Sequence, residues 1–229
     1  MPYRRSVHRK DFDNRVGLLL KEAYKAQRRV KSVSSEHRDM IFQCAIFQTS
    51  AAIESYNRLI IESWIQKLRT KSISHIPVSA RAFILVERLK GVIGKYNLLK
   101  DEAWVLSEIS KSHWPWGLIM ATGPTPPALN GAALHAHTSY PSEKNIERLY
   151  NRLGLSGMIN KLGAEMKRDA SILIESFQSV RTALAHSSPP PISITDVTRL
   201  LDDARILVAA IDRIMFRHIG KHGGVDCWT

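Results

Sequence analysis

The sequence predicts an all-α protein, and three observations carry that expectation. Apolar residues recur with a period near 3.6 along most of the chain. Almost nothing alternates with period two over a useful length. Small polar residues open the apolar runs, and glycine, proline or basic residues close them.

The elements follow in order. A first helix spans about 11 to 30, with Phe12, Val16, Leu19, Leu20 and Tyr24 on one face and a basic end, KAQRRVK, suited to the negative pole of a helix C-terminus. Residues 1–10 read as a basic tail whose Arg4, Arg5, Arg9 and Lys10 stay solvated or contact phosphates. A long second helix runs from about 35 to 69, capped by Ser34 or Ser35, with Phe42, Ile46, Thr49, Ile53, Tyr56 and Ile60 at spacings of four and three. That length and stripe make it the central helix. Pro77 closes the region, and Ser79 to Leu89 forms a short third helix through Phe83, Val86 and Leu89.

From 111 to 142 the composition shifts to prolines, three glycines and two tryptophans, which reads as an irregular insertion. Trp114 and Trp116 flank a proline there, as loop anchors or as stacking surfaces for bases. Helices resume at Ser142, where SEKNIERLYNRLG offers a cap, the apolar Ile146, Leu149 and Leu153, and a stop at Gly154. A penultimate helix covers about Asp169 to His186. The last covers Thr195 to about His218, with Thr195 as cap, Asp196 in the first turn and an apolar face from Val197 to Met215. Residues 219–229 read as a C-terminal tail. No repeat divides the chain, so one domain of 229 residues is expected.

Charge bounds the partners. With 33 Lys+Arg against 21 Asp+Glu the formal charge is +12, which favours a polyanion such as RNA, DNA or an acidic protein surface. Only Cys44 and Cys227 occur, so no disulfide framework is expected and a reducing, cytoplasmic setting fits. The opening MPYRRSVHRKDFDNR has no apolar stretch behind its basic residues. The most apolar run, residues 41–61, carries glutamines, a glutamate and an arginine, which argues against a membrane span.

One stretch holds candidate chemistry. Residues 179–191, SVRTALAHSSPPP, place Arg181 and His186 at the end of the penultimate helix, ahead of a proline-rich break. Leu173, Phe177, Val180 and Leu184 form that helix's core stripe. At about 100° per residue, Arg181 and His186 lie roughly 140° apart, on the face that also carries Gln178, Thr182 and Ala185. Arginine holds a phosphate, or the phosphorane developing from it, through a fixed fork of donors. Histidine takes and gives protons near neutrality. The two suffice for RNA cleavage without a metal or cofactor. The spacing alone is not distinctive: Arg213/His218 and Arg217/His222 repeat it, and the helix dipole favours histidine at a C-terminus. His135 and His137 lie close in sequence, but no Cys, Asp or Glu stands beside them at ligand spacing, so no metal centre is predicted.

A wider pattern singles out the first pair. The segment ESFQSVRTALAHSSPPPISITDVTRLLDDARILVAAIDRIM resembles the signature end of the HEPN superfamily, in which a helix carrying Arg, a polar residue, three more residues and His leads through a short loop into a final amphipathic helix. Upstream, NIERLYNRLGL and FQTSAAIESYNRLI are similar to segments of its RiboL-PSP-HEPN and MAE-type families, so the resemblance spans about 12 to 217. The insertion at 111–142 matches nothing in it. The resemblance implies an antiparallel helical bundle that forms a homodimer around a shared RNA cleft. It also implies metal-independent endoribonuclease activity, often in a toxin restrained by an antitoxin or in an antiphage defence effector; other members are non-catalytic modules that bind RNA, a nucleotide or a partner protein. Carried over by position, Arg181 and His186 are the catalytic pair. Thr182 stands where Asn, Asp or His is usual, and a hydroxyl is shorter and lacks an amide's two-ended hydrogen bonding. Glu54 maps to the Glu of the long helix, where it either orients the pair or serves as a buried partner for a basic neighbour.

Overall fold

The structure, a computed structural model, describes residues 2–28, 32–111, 114–123, 130–138, 141–185 and 192–228. In chain order its helices are α1 (Val7–Arg28), α2 (Ser35–Leu68), α3 (Val78–Leu99), α4 (Glu102–Ser110), α5 (Trp114–Met120), α6 (Gly131–His135), α7 (Glu143–Arg152), α8 (Met158–Met166), α9 (Ala170–Ala185) and α10 (Ile194–Lys221). Among the described residues there is no strand, and the protein is an all-α bundle. No helix among them is long and apolar enough to cross a membrane.

Two helices are covered on more than one side, and they define the core. On α2 the buried positions come in adjacent pairs, Ala45/Ile46, Ala52/Ile53, Ile60/Ile61 and Trp64/Ile65, a pattern wider than one amphipathic stripe. On α10 the residues from Leu207 to Asp212 are all buried. Helices α1, α2 and α10 pack on one another, α8 lies on α10, and α9 packs against α2, α7, α8 and α10. Each Ile or Leu in this core contributes about 1.5–3 kcal/mol through removal of apolar surface from water.

Side-chain caps set several helix starts. The Ser34 hydroxyl accepts from the His37 amide at 3.3 Å and opens α2, and Ser142 accepts from the Asn145 amide at 3.2 Å to open α7. Helix α10 is capped by Ser193, not Thr195. Its hydroxyl accepts from the Asp196 amide at 3.1 Å, while the Asp196 carboxylate accepts from the Ser193 amide at 3.1 Å. A reciprocal box satisfies two orphan amides, which a lone threonine would not.

Elsewhere the chain departs from expectation. Helix α1 begins at Val7, because the Ser6 hydroxyl accepts from the Arg9 amide at 3.0 Å. The basic residues Arg9 and Lys10 therefore belong to a helix and not to a tail. Tyr24 faces outward, its hydroxyl 3.1 Å from that of Thr198. Helix α3 continues to Leu99 and α4 follows, opened by Asp101 accepting from the Trp104 amide at 2.9 Å. Val86, Leu98, Leu99 and Leu106 are exposed along this pair of helices. Short helices α5 and α6 occupy part of the 111–142 insertion, and α8 fills a span where no helix was expected. Cys44 lies exposed on α2 and Cys227 is buried, both as free thiols.

The two chain ends meet. The Trp228 indole donates to the Arg4 carbonyl at 2.9 Å, and the Phe216 ring stands edge-on to Tyr3 and to Trp228 at 5.5 and 5.4 Å. Beneath them the fully buried Asp212 carboxylate accepts from the hydroxyls of Tyr3 (2.5 Å), Ser6 (2.5 Å) and Tyr56 (2.9 Å) and from the Ser6 amide (3.2 Å). Four donors on one carboxylate satisfy a group that would otherwise be costly to bury. They tie the start of α1 to α2 and α10.

Candidate functional site

Helix α9 carries the expected pair, and its burial pattern explains which side is available. Ala170, Leu173, Ile174 and Phe177 are buried against the neighbouring helices. Arg181 is half-buried at the edge of that stripe, and Thr182, one residue on, is exposed. The next turn ends the helix at Ala185. His186 lies outside the described residues, as does the proline-rich segment after it through Pro191. Arg181 and Thr182 are thus described, and the Arg181–His186 pairing is not.

Glu54 projects from the half-buried side of α2, the helix against which α9 packs. It lines a small recess with Asn57, His135, Thr138 and Asn145, under α6 and α7. Asn57 accepts from the buried Tyr150 hydroxyl at 2.6 Å, which fixes this part of α2 to α7. His135 lines the same recess: burial depresses that imidazole below its ordinary range, and the Glu54 charge acts in the opposite sense. The His135 Nε2 is buried without a hydrogen-bond partner. His137, two residues on, is exposed in the left-handed region at φ 59°. Trp116 is 54% exposed, so it does not anchor the insertion to the core.

The two other Arg-x4-His spacings are drawn into a different arrangement. Glu165 of α8 bridges both arginines, accepting from the Arg213 Nε at 2.5 Å and from the Arg217 guanidinium. Burial pushes the Glu165 carboxyl up, and the two arginines outweigh it, leaving the group below its usual range. His218 is 7% exposed and its Nε2–H donates to the Leu153 carbonyl at 2.8 Å, which places the acceptor lone pair on Nδ1. Its ring meets Trp64 edge-on at 5.4 Å and His222 at 4.6 Å. Burial first, and the nearby His222 and Lys221 second, hold His218 down to about 4. The sequence signal for these contacts was visible only as spacing. What it lacked was Glu165, from a helix that apolar periodicity did not reveal.

Comparison of the chain with protein-family models, curated proteins and solved structures returned no match.

Proposed function

We propose that the protein is a metal-independent endoribonuclease of the HEPN type, acting as a homodimer with the ends of two α9 helices around one RNA strand. In this reading His186 takes the proton from a ribose 2′-hydroxyl, and the 2′-oxygen attacks the adjacent phosphorus. Arg181 stabilises the charge on the phosphorane, and the leaving 5′-oxygen takes back the proton from the His186 imidazolium. The products are a 2′,3′-cyclic phosphate and a free 5′-hydroxyl. Thr182 and Glu54 position the pair, and the +12 charge gathers the polyanion. Such activity suits a toxin held by an antitoxin or a growth-arresting defence effector.

The observation that carries the reading is the placement of Arg181. It sits at the rim of the buried stripe, beside the exposed Thr182, on the last turns of a helix held by four others. A cation so placed is held rigid at its root by the packing of α9. The test is incubation of the full chain with RNA in EDTA, beside Arg181→Ala and His186→Ala. Cutting by the wild type alone supports the assignment; equal cutting by all three, or none, rejects it.

A second reading rests on Thr182, which cannot supply the amide hydrogen bonds usual at that position. The same face then binds RNA, a nucleotide or a partner protein without cutting. Gel retardation that weakens steeply with salt, with the RNA left intact, identifies this case.

A further inference from the structure

We infer that the cleft between α8 and α10 binds a small phosphate monoester, independently of any chemistry at the end of α9. The cleft opens broadly to solvent and offers about 590 Å³, a volume within the span of small-molecule sites at about 300–1,000 Å³. Among the described residues, its walls come from the turn at Gly154, from α8 and from the last turns of α10. Lys161, Arg217 and Lys221 bring three permanent cations to it, and Glu165 brings one carboxylate. That carboxylate is already shared by Arg217 and Arg213. The local balance therefore favours an anion, and Leu155 and Ile214 give it an apolar wall for an organic group.

The dipole of α10 accounts for only part of this clustering. Basic residues are favoured at a helix C-terminus, which suffices for Lys221. Lys161 is placed the other way: it lies in the first turn of α8, where the dipole disfavours a cation. Its ammonium donates to the Ser156 carbonyl, a neutral acceptor that leaves the charge uncompensated. Cations from two helices thus converge on one concavity, one of them against its own helix dipole. The imidazoles of His218 and His222 line the same wall, their ring centroids 4.6 Å apart. Both are held below their ordinary range, by burial first and then by neighbouring positive groups that include Lys221. A bound phosphate offsets those positive groups and offers acceptor oxygens to the lysines and to His222.

The test is titration of the full chain with inorganic phosphate and with adenosine 5′-monophosphate, by calorimetry and phosphorus NMR at low ionic strength. The proteins are the wild type, the double variant Lys161→Ala/Lys221→Ala, and Lys90→Ala, which removes an exposed lysine of α3. Wild type and Lys90→Ala should bind both probes saturably at one site, with phosphate competing against the nucleotide. The double variant should bind roughly a hundredfold more weakly, about tenfold for each charge-assisted hydrogen bond removed. Circular dichroism confirms that it is folded, and Lys161→Arg/Lys221→Arg, which keeps both charges, should retain binding within about tenfold. No saturable binding by the wild type, nucleotide binding that phosphate does not compete away, or equal weakening in Lys90→Ala overturns the proposal. Lys161→Ala/Lys221→Ala should still cut RNA in EDTA as the wild type does, so loss of this site and loss of RNA cutting are separable.

Discussion

Asp212→Ala removes the acceptor on which the two chain ends converge. It leaves three hydroxyls and one amide facing a cavity: Tyr3, Ser6 (by hydroxyl and amide) and Tyr56. Tyr3 is half-exposed and can turn to water, but Ser6 and Tyr56 are buried. An unsatisfied buried donor costs about 1–3 kcal/mol, and relief from burying a carboxylate offsets part of the sum, so a net loss of about 3 kcal/mol is expected. With a urea slope of about 3 kcal/mol/M, the unfolding midpoint followed by tryptophan fluorescence falls by about 1 M. Asp212→Asn keeps one acceptor oxygen and should cost less than half as much. Tyr56→Phe should cost about 1 kcal/mol in the wild type and almost nothing in the Asp212→Ala background, because its partner is already gone. Equal costs of Tyr56→Phe in both backgrounds would refute the hub.

Three further outcomes follow from other parts of the molecule. Tyr3 is pushed up to about 12 by burial and by its bond to Asp212, and burial raises Tyr56 and Tyr150 as well. Because the unfolded chain gives up these protons near 10 and the folded chain holds them longer, stability should be full below pH 10 and fall above it. Ultraviolet phenolate absorbance should show Tyr56 and Tyr150 titrating only as the chain unfolds. At the acid end His218 is neutral in the fold, down from 6.5 to about 4, so stability should be full above pH 6.5 and drop by up to roughly 3 kcal/mol as pH falls towards 4. His218→Asn, which does not titrate, should flatten the part of that drop due to this residue in urea midpoints measured across the range. Ser193→Ala should cost about 1 kcal/mol in thermal unfolding and Thr195→Ala much less, since the box and not Thr195 opens α10.

The elements that sequence reasoning located were those with a clean apolar stripe and a local cap. Helix α7 has both, and α2 and α10 join a cap to a long run of apolar positions, so periodicity located all three within a few residues. It missed the far half of α3 and the whole of α4, because Leu98, Leu99 and Leu106 are exposed there and define no buried face. It missed α8, short and begun at a left-handed glycine with no side-chain cap. The ends read as tails since nothing local announces Asp212 as a hub: an aspartate inside an apolar helix becomes legible only when Tyr3, Ser6 and Tyr56 arrive from elsewhere in the chain. The same holds for the candidate sites. Arg181 stands out in the sequence through the resemblance around it, since its spacing to a histidine recurs at Arg213/His218 and Arg217/His222. The α8–α10 cleft depends on Lys161 and Glu165 meeting Arg217 across two helices, which no window of sequence displays.

The nature of the RNA ends bears most directly on the proposed cleavage. Phosphorus NMR of a short RNA digested in EDTA should show a 2′,3′-cyclic phosphate, and the same oligonucleotide with 2′-O-methyl riboses should stay whole. Fragments ending in a 5′-phosphate and a 3′-hydroxyl, or cutting of the methylated strand, would mean that water and not the ribose is the nucleophile, and would contradict the roles given to Arg181 and His186.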